Sequence, residues 1–198
     1  MENQKLINIV GVVGLVLVVA VLFFNKNDVD HDSHMMLDGQ TMQNDEINGM
    51  HNNMTIENDE QFLNAMIPHH QEAVSSASEV LARGGSFPEI KTLAENIIRS
   101  QSLEIDQMKG WYEFWFQKPF MNHSTYIPMM RELSGLSGAE LDKAFLEDMI
   151  MHHDSAVMMA EQAKIVGREE IKKMSGDIIT AQTKEIEMMK EWLETKFK

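Results

Sequence analysis

One long phrase occurs twice in this chain, and that duplication constrains the fold more than any other feature. Phe62-Leu63-Asn64-Ala65-Met66-Ile67-Pro68-His69-His70-Gln71-Glu72-Ala73-Val74 returns as Phe145-Leu146-Glu147-Asp148-Met149-Ile150-Met151-His152-His153-Asp154-Ser155-Ala156-Val157. A second block follows each copy. Ile97-Ile98, Gln101, Glu104-Ile105, Met108 and Trp111 match Ile178-Ile179, Gln182, Glu185-Ile186, Met189 and Trp192. Each half is therefore one long segment, a short break and another long segment. Repeats of this kind mark supersecondary units that bury their apolar faces on one another.

Both segments carry helical spacing. Phe62, Met66, His69, Ala73, Ala77 and Val80 step by three or four, as do Ile90, Ala94, Ile97, Gln101, Glu104, Met108 and Trp111. The breaks are Arg83-Gly84-Gly85-Ser86-Phe87-Pro88 and Val166-Gly167-Arg168, with glycine past a helix end and proline at the next start. Pro68 inside the first segment predicts a kink or a late helix start. Two amphipathic helix hairpins bury their stripes best as an all-α four-helix bundle over residues 59–198. The connector from Gln117 to Gly138 is long enough for a ferritin-like crossover, and an up-down-up-down path is equally allowed.

Several stripe positions are polar. Successive helical residues point about 100° apart, so one histidine of each pair, His69-His70 and His152-His153, can face the bundle axis while the other flanks it. Met66 and Met149 precede their histidines by three and four residues and share that face. Gln101, Glu104 and Met108, and again Gln182, Glu185 and Met189, stand where leucine would pack better. A carboxylate buried without a partner costs several kcal/mol. Glu104 is therefore expected beside His69 or His70, and Glu185 beside His152 or His153. A satisfied network that only fixes helix register is the plain alternative.

Composition narrows the chemistry. The chain has no cysteine, which excludes disulfides, thiolate metal sites and thiol nucleophiles. It holds 18 methionines and 8 histidines, and its formal net charge of −14 makes nucleic acid a poor partner. Thioether beside imidazole suits copper or silver when thiolate is lacking. The four-helix di-iron pattern needs Glu-x-x-His, and neither histidine pair has it. His69-x-x-Glu72 runs in the reverse order, and its counterpart ends in Ser155.

The N-terminus reads differently. After a short lead, residues 1–5, Leu6 to Phe24 is apolar except for Asn8. At about 1.5 Å per residue it spans roughly 28 Å, enough for a transmembrane anchor. Phe23-Phe24-Asn25-Lys26 offers no small-x-small cleavage site, so the anchor is expected to stay uncleaved, with everything after Lys26 outside the cell membrane. Residues 25–58 lack periodicity and read as a disordered acidic stalk. Its His31, His34, Met35, Met36, Met50, His51 and Met54 suit a low-affinity metal-catching arm.

The duplicated phrase, with its trailing Ile-Ile-x-x-Gln-x-x-Glu-Ile-x-x-Met-x-x-Trp, resembles the bacterial family called domain of unknown function 305. The resemblance covers roughly residues 58–196. It implies a ferritin-like bundle, usually exported or membrane-anchored, with some relatives binding copper. Carried over by motif, it points to His69, His70, Gln101, Glu104 and Met108, and to His152, His153, Gln182, Glu185 and Met189. Together with Met66 and Met149, these give the expected metal set, with Gln101 and Gln182 supporting it. The reading is a membrane-anchored extracytoplasmic protein that captures or buffers Cu(I), Cu(II) or Ag(I). It needs no turnover and is compatible with a homo-oligomer. The alternatives are a di-metal oxidase or ferroxidase on the same scaffold, and a non-metal structural module.

Overall fold

The computed structural model describes residues 55–122 and 126–198. The expected anchor, the stalk as far as Met54, and His123 in the connector lie outside the described residues. No helix among the described residues is long and apolar enough to cross a membrane. Four helices follow one another: α1 (Asp59–Arg83), α2 (Pro88–Phe116), α3 (Gly138–Val166) and α4 (Glu169–Lys196).

Local chemistry explains the boundaries. The Asn58 side chain accepts from Gln61 N at 3.0 Å, while Gln61 Oε1 accepts from Glu57 N at 2.7 Å, so the first turn of α1 is capped from both sides. Asp59 and Glu60 add negative charge at that end. Pro68 neither delays nor interrupts α1. The helix is already capped at Asn58, ten residues earlier, and Phe62, Leu63 and Met66, all fully buried, hold the turn before the proline in place. Pro88 opens α2. Gly85 adopts φ 68°, and a Cβ on Gly84 would lie 2.7 Å from Leu141 Cδ2, so both positions of this turn need glycine. Ile56, in the segment expected to belong to the stalk, is buried, and its N–H donates to Gln162 Oε1 at 2.8 Å.

Two apolar clusters fix the topology. One gathers Phe62 and Met66 from the start of α1, Met108 and Tyr112 from the end of α2, Ala160 and Ala163 from the end of α3, and Ile171 and Ile178 from the start of α4. The other gathers the opposite halves: Ala77 and Val80, Ile90 and Ile97, Leu141 and Phe145, Ile186 and Met189. Helices α1 and α4 therefore run one way, and α2 and α3 the other. The chain leaves α2 at one end of the bundle and begins α3 at the other, so residues 117–137 travel its length. This is the ferritin-like crossover. α1 packs on α2, α3 on α4, and α1 on α3.

Carboxylates pin the connections. Buried Asp142, at the start of α3, accepts from Gly85 N and from Ser86 N at 2.6 Å. Its counterpart Asp59, at the start of α1, accepts from Arg168 N at 2.9 Å and Arg168 Nε at 2.7 Å. Each hairpin turn is thus held by the other hairpin. Asp148 takes Arg131 N at 2.8 Å and Arg131 Nη2 at 2.6 Å from the crossover. Replacing Asp142 with Ala leaves two backbone donors without their acceptor, and we expect a loss of about 3 kcal/mol. A urea midpoint unchanged from wild type would refute that role.

Candidate metal centre

The polar stripe residues form a layer between the two apolar clusters. On α1, His69 and His70 sit between Met66 of one cluster and Ala73 of the other; on α3, His152 and His153 sit between Met149 and Ala156. Gln101 with Glu104, and Gln182 with Glu185, occupy the same level on α2 and α4. All four histidines and both glutamines are buried.

The expected carboxylate partners are present and specific. His70 Nε2 lies 2.8 Å from Glu104 Oε2, and His153 Nε2 lies 2.7 Å from Glu185 Oε2. An ionised carboxylate only accepts, so in the neutral imidazole the proton is on Nε2 and Nδ1 carries a bare lone pair. Neither Nδ1 has a hydrogen-bond partner within the protein. This is the arrangement of a metal-ligating histidine held by a carboxylate behind it.

The thioethers stand beside these pairs. α1 and α2 run in opposite directions, so Met66, one turn before His70, and Met108, one turn after Glu104, share one level in the first apolar cluster. Met149 and Met189 repeat this in the second. All four are fully buried. Of the other methionines, Met159 is core, whereas Met158 and Met121 are exposed.

His69 and His152 meet at the centre, where the two halves face each other. Their ring centroids are 3.6 Å apart and their planes tilt by 33°. Both nitrogens of each ring lack a hydrogen bond. Burial, followed by the neighbouring imidazoles, pushes His69 well below the ordinary histidine range. Burial is also the main cause that brings His152 down to about 4. Both rings are thus neutral at pH 7.

Glu72 breaks the symmetry. Its Oε2 is 3.3 Å from His152 Nε2, close enough for charge to act but not aligned as a hydrogen bond. It also accepts from Tyr126 OH, from Met129 N at 2.9 Å and from Met130 N at 3.0 Å, which fastens the crossover to α1. Burial acts to raise the Glu72 carboxyl, but these donors and His152 outweigh it and hold it low. Burial, then Glu72, pushes Tyr126 far above the usual phenol range. The Tyr126 ring stands edge-on to His69, with centroids 6.2 Å apart. Sequence reasoning assigned no site role to Glu72 or Tyr126. Its one signal was a carboxylate in the repeated phrase whose twin is serine.

The sequence matches the family described as Domain of unknown function (DUF305) over residues 23–112 and over residues 59–193. The chain belongs to this family. Among solved structures, CopM in the Cu(I)-bound form is 40% identical with a TM-score of 0.64, over 69% of this chain and 96% of CopM. CopM in the Ag-bound form obtained by soaking is 38% identical with a TM-score of 0.63, over 71% of this chain and 98% of CopM. A DUF305 putative secreted protein from Streptomyces coelicolor is 26% identical with a TM-score of 0.60, over 69% of this chain and 91% of that one. An uncharacterised protein of Acanthamoeba polyphaga mimivirus is 45% identical over 52 residues, which is 26% of this chain and 34% of that protein. The chain thus matches about a third of that viral relative's length.

Among the described residues, no three His, Asp or Glu side chains converge as a metal cage. His70 pairs with Glu104 and His153 with Glu185, and two buried methionines lie one helical turn from each pair. This set combines soft thioethers and imidazoles with one carboxylate per half. It differs from the carboxylate-rich centre that a di-iron oxidase requires.

Proposed function

We propose that this DUF305 protein is an extracytoplasmic copper-binding protein that captures and buffers Cu(I), with Ag(I) and Cu(II) as further cargo. The observation that carries this reading is the pair of buried Nδ1 lone pairs on His70 and His153. Each is backed by a glutamate and flanked by two buried methionines. A network that only fixed helix register would leave these atoms partnered, since a buried polar atom left unpaired costs about 1–3 kcal/mol. CopM, which binds Cu(I), Cu(II) and silver, shares the fold at about two-fifths identity, and this supports the choice of metal.

In this reading Met66, His70 and Met108 form one half-site, and Met149, His153 and Met189 the other. Glu104 and Glu185 orient the imidazoles. His69 and His152 supply neutral nitrogen donors between the halves. Residues 6–24 anchor the chain in the membrane, and the stalk's His31, His34, Met35, Met36, Met50, His51 and Met54 collect ions loosely.

The test is an anaerobic Cu(I) titration against a chromogenic competitor. The bundle is expected to withdraw copper from it. At free copper of 100 times Kd, binding is expected to add about 2.7 kcal/mol of stability. No withdrawal and an unchanged melting temperature would reject the proposal.

A further inference from the structure

The buried His–Glu pairs are not sealed on their outer side. Glu104, 24% exposed, lines a surface cleft of about 190 Å³ together with Trp111, Glu170, Lys173 and Asp177. Glu185, 18% exposed, lines a second cleft of about 370 Å³ with Trp192, Glu89, Thr92 and Asn96. The two clefts are built from corresponding residues of the two halves. Glu104 answers to Glu185, Trp111 to Trp192, Glu170 to Glu89, Lys173 to Thr92 and Asp177 to Asn96. In each, the first turns of a helix from one hairpin close over the end of a helix from the other.

The histidines behind these glutamates have no exposed surface. Glu104 and Glu185 are the residues that both line a cleft and hydrogen-bond a buried histidine. On the opposite side, the crossover is fastened over the centre through Glu72. We infer that the two clefts are separate access ports for the cation, one per half-site. Glu104 and Glu185 receive the ion from water and pass it inward to the imidazole and thioethers. This rests on the copper reading and adds the route and its duplication.

The ports differ in their ion pairs. In the first, Asp177 is paired with Lys173 at 2.8 Å, where the second carries Asn96 and Thr92, and Glu89 of the second is paired with Lys196 at 3.0 Å. Both linings carry more acidic than basic side chains, and a net negative cleft raises the local concentration of a cation and its on-rate.

The test blocks each port at its rim, away from the proposed ligands, and reads loading rate separately from affinity. Asp177→Arg places a cation in the first port and Asn96→Arg in the second. With the full chain, Cu(I) uptake from a chromogenic complex is followed by stopped flow. The amplitude missing in a His70→Ala/His153→Ala variant identifies the bundle's share. Each single variant is expected to slow half of that share by about tenfold or more, and the double variant all of it. Equilibrium affinity stays close to wild type. Lys173→Trp and Thr92→Trp obstruct the same ports by bulk and serve if either arginine variant misfolds. Wild-type rates in the double variant, or one variant slowing the whole share, would overturn the two-port route. Failure of the wild type to bind copper at all would instead reject the function beneath it.

Discussion

Replacing His70 and His153 together with Ala is expected to weaken Cu(I) binding by the bundle by more than about 100-fold, which is about 2.8 kcal/mol. The expectation follows from which ring nitrogen is free. Glu104 and Glu185 can only accept, so they fix the protons on Nε2 and leave Nδ1 to the metal. Alanine deletes that ligand, whereas changes at the glutamates alter equilibrium affinity only through it. Glu104→Ala with Glu185→Ala removes the group that sets tautomer and ring orientation, and the expected loss is about 10–100-fold. Glu104→Gln with Glu185→Gln keeps an oxygen acceptor for the Nε2–H, and the expected loss is below about tenfold. The order of the three is the discriminating result. If Gln costs as much as Ala, the glutamates ligate directly and the Nδ1 assignment is wrong. The histidine variant is expected to remain folded, because Glu104 and Glu185 are partly exposed and can turn to water once their partners are gone.

The bundle and its polar layer were legible because the duplication states them twice. Apolar residues at helical spacing, Gly84-Gly85 and Gly167 at the breaks, and the His, Gln, Glu and Met positions all repeat. A repeated exception to an apolar stripe is a signal that a single exception is not. The helix directions were not legible. They depend on which ends share a core, and a connector such as 117–137 can turn back or cross over equally well. Glu72 and Tyr126 escaped for a related reason. The twin of Glu72 is Ser155, so on the repeat pattern it reads as noise, yet that departure is what lets one half hold the crossover and meet the other half's His152. The late start that Pro68 allows does not occur, because the Asn58 cap and the burial of Phe62 outweigh proline's local penalty.

Metal-free protein is expected to lose stability steeply as pH falls from 7.5 to 5, and the central histidines are the reason. In the unfolded chain His69 and His152 titrate near 6.5. In the fold, burial keeps His69 neutral far below that and His152 neutral down to about 4. Between these values the unfolded state binds protons that the native state refuses, so unfolding free energy falls with falling pH. The contribution is fully present above pH 6.5 and declines through the window down to about 4. At pH 5 each ring accounts for about 2 kcal/mol, and the pair for about 4. That is a large part of the 5–15 kcal/mol that usually holds a domain together. Glu72, whose carboxyl the fold holds below the ordinary range, acts in the same direction, but only at more acidic pH. Urea unfolding of wild type at pH 7.5, 6.5, 5.5 and 5, set against a His69→Gln/His152→Gln variant, isolates the effect. The variant's curve is expected to be flatter by about 4 kcal/mol across that range, whatever its absolute stability. Parallel curves would mean that the stacked rings take up protons in the folded state. A centre that charges so readily would repel a cation in mildly acidic surroundings, whereas rings that stay neutral keep their lone pairs available to copper.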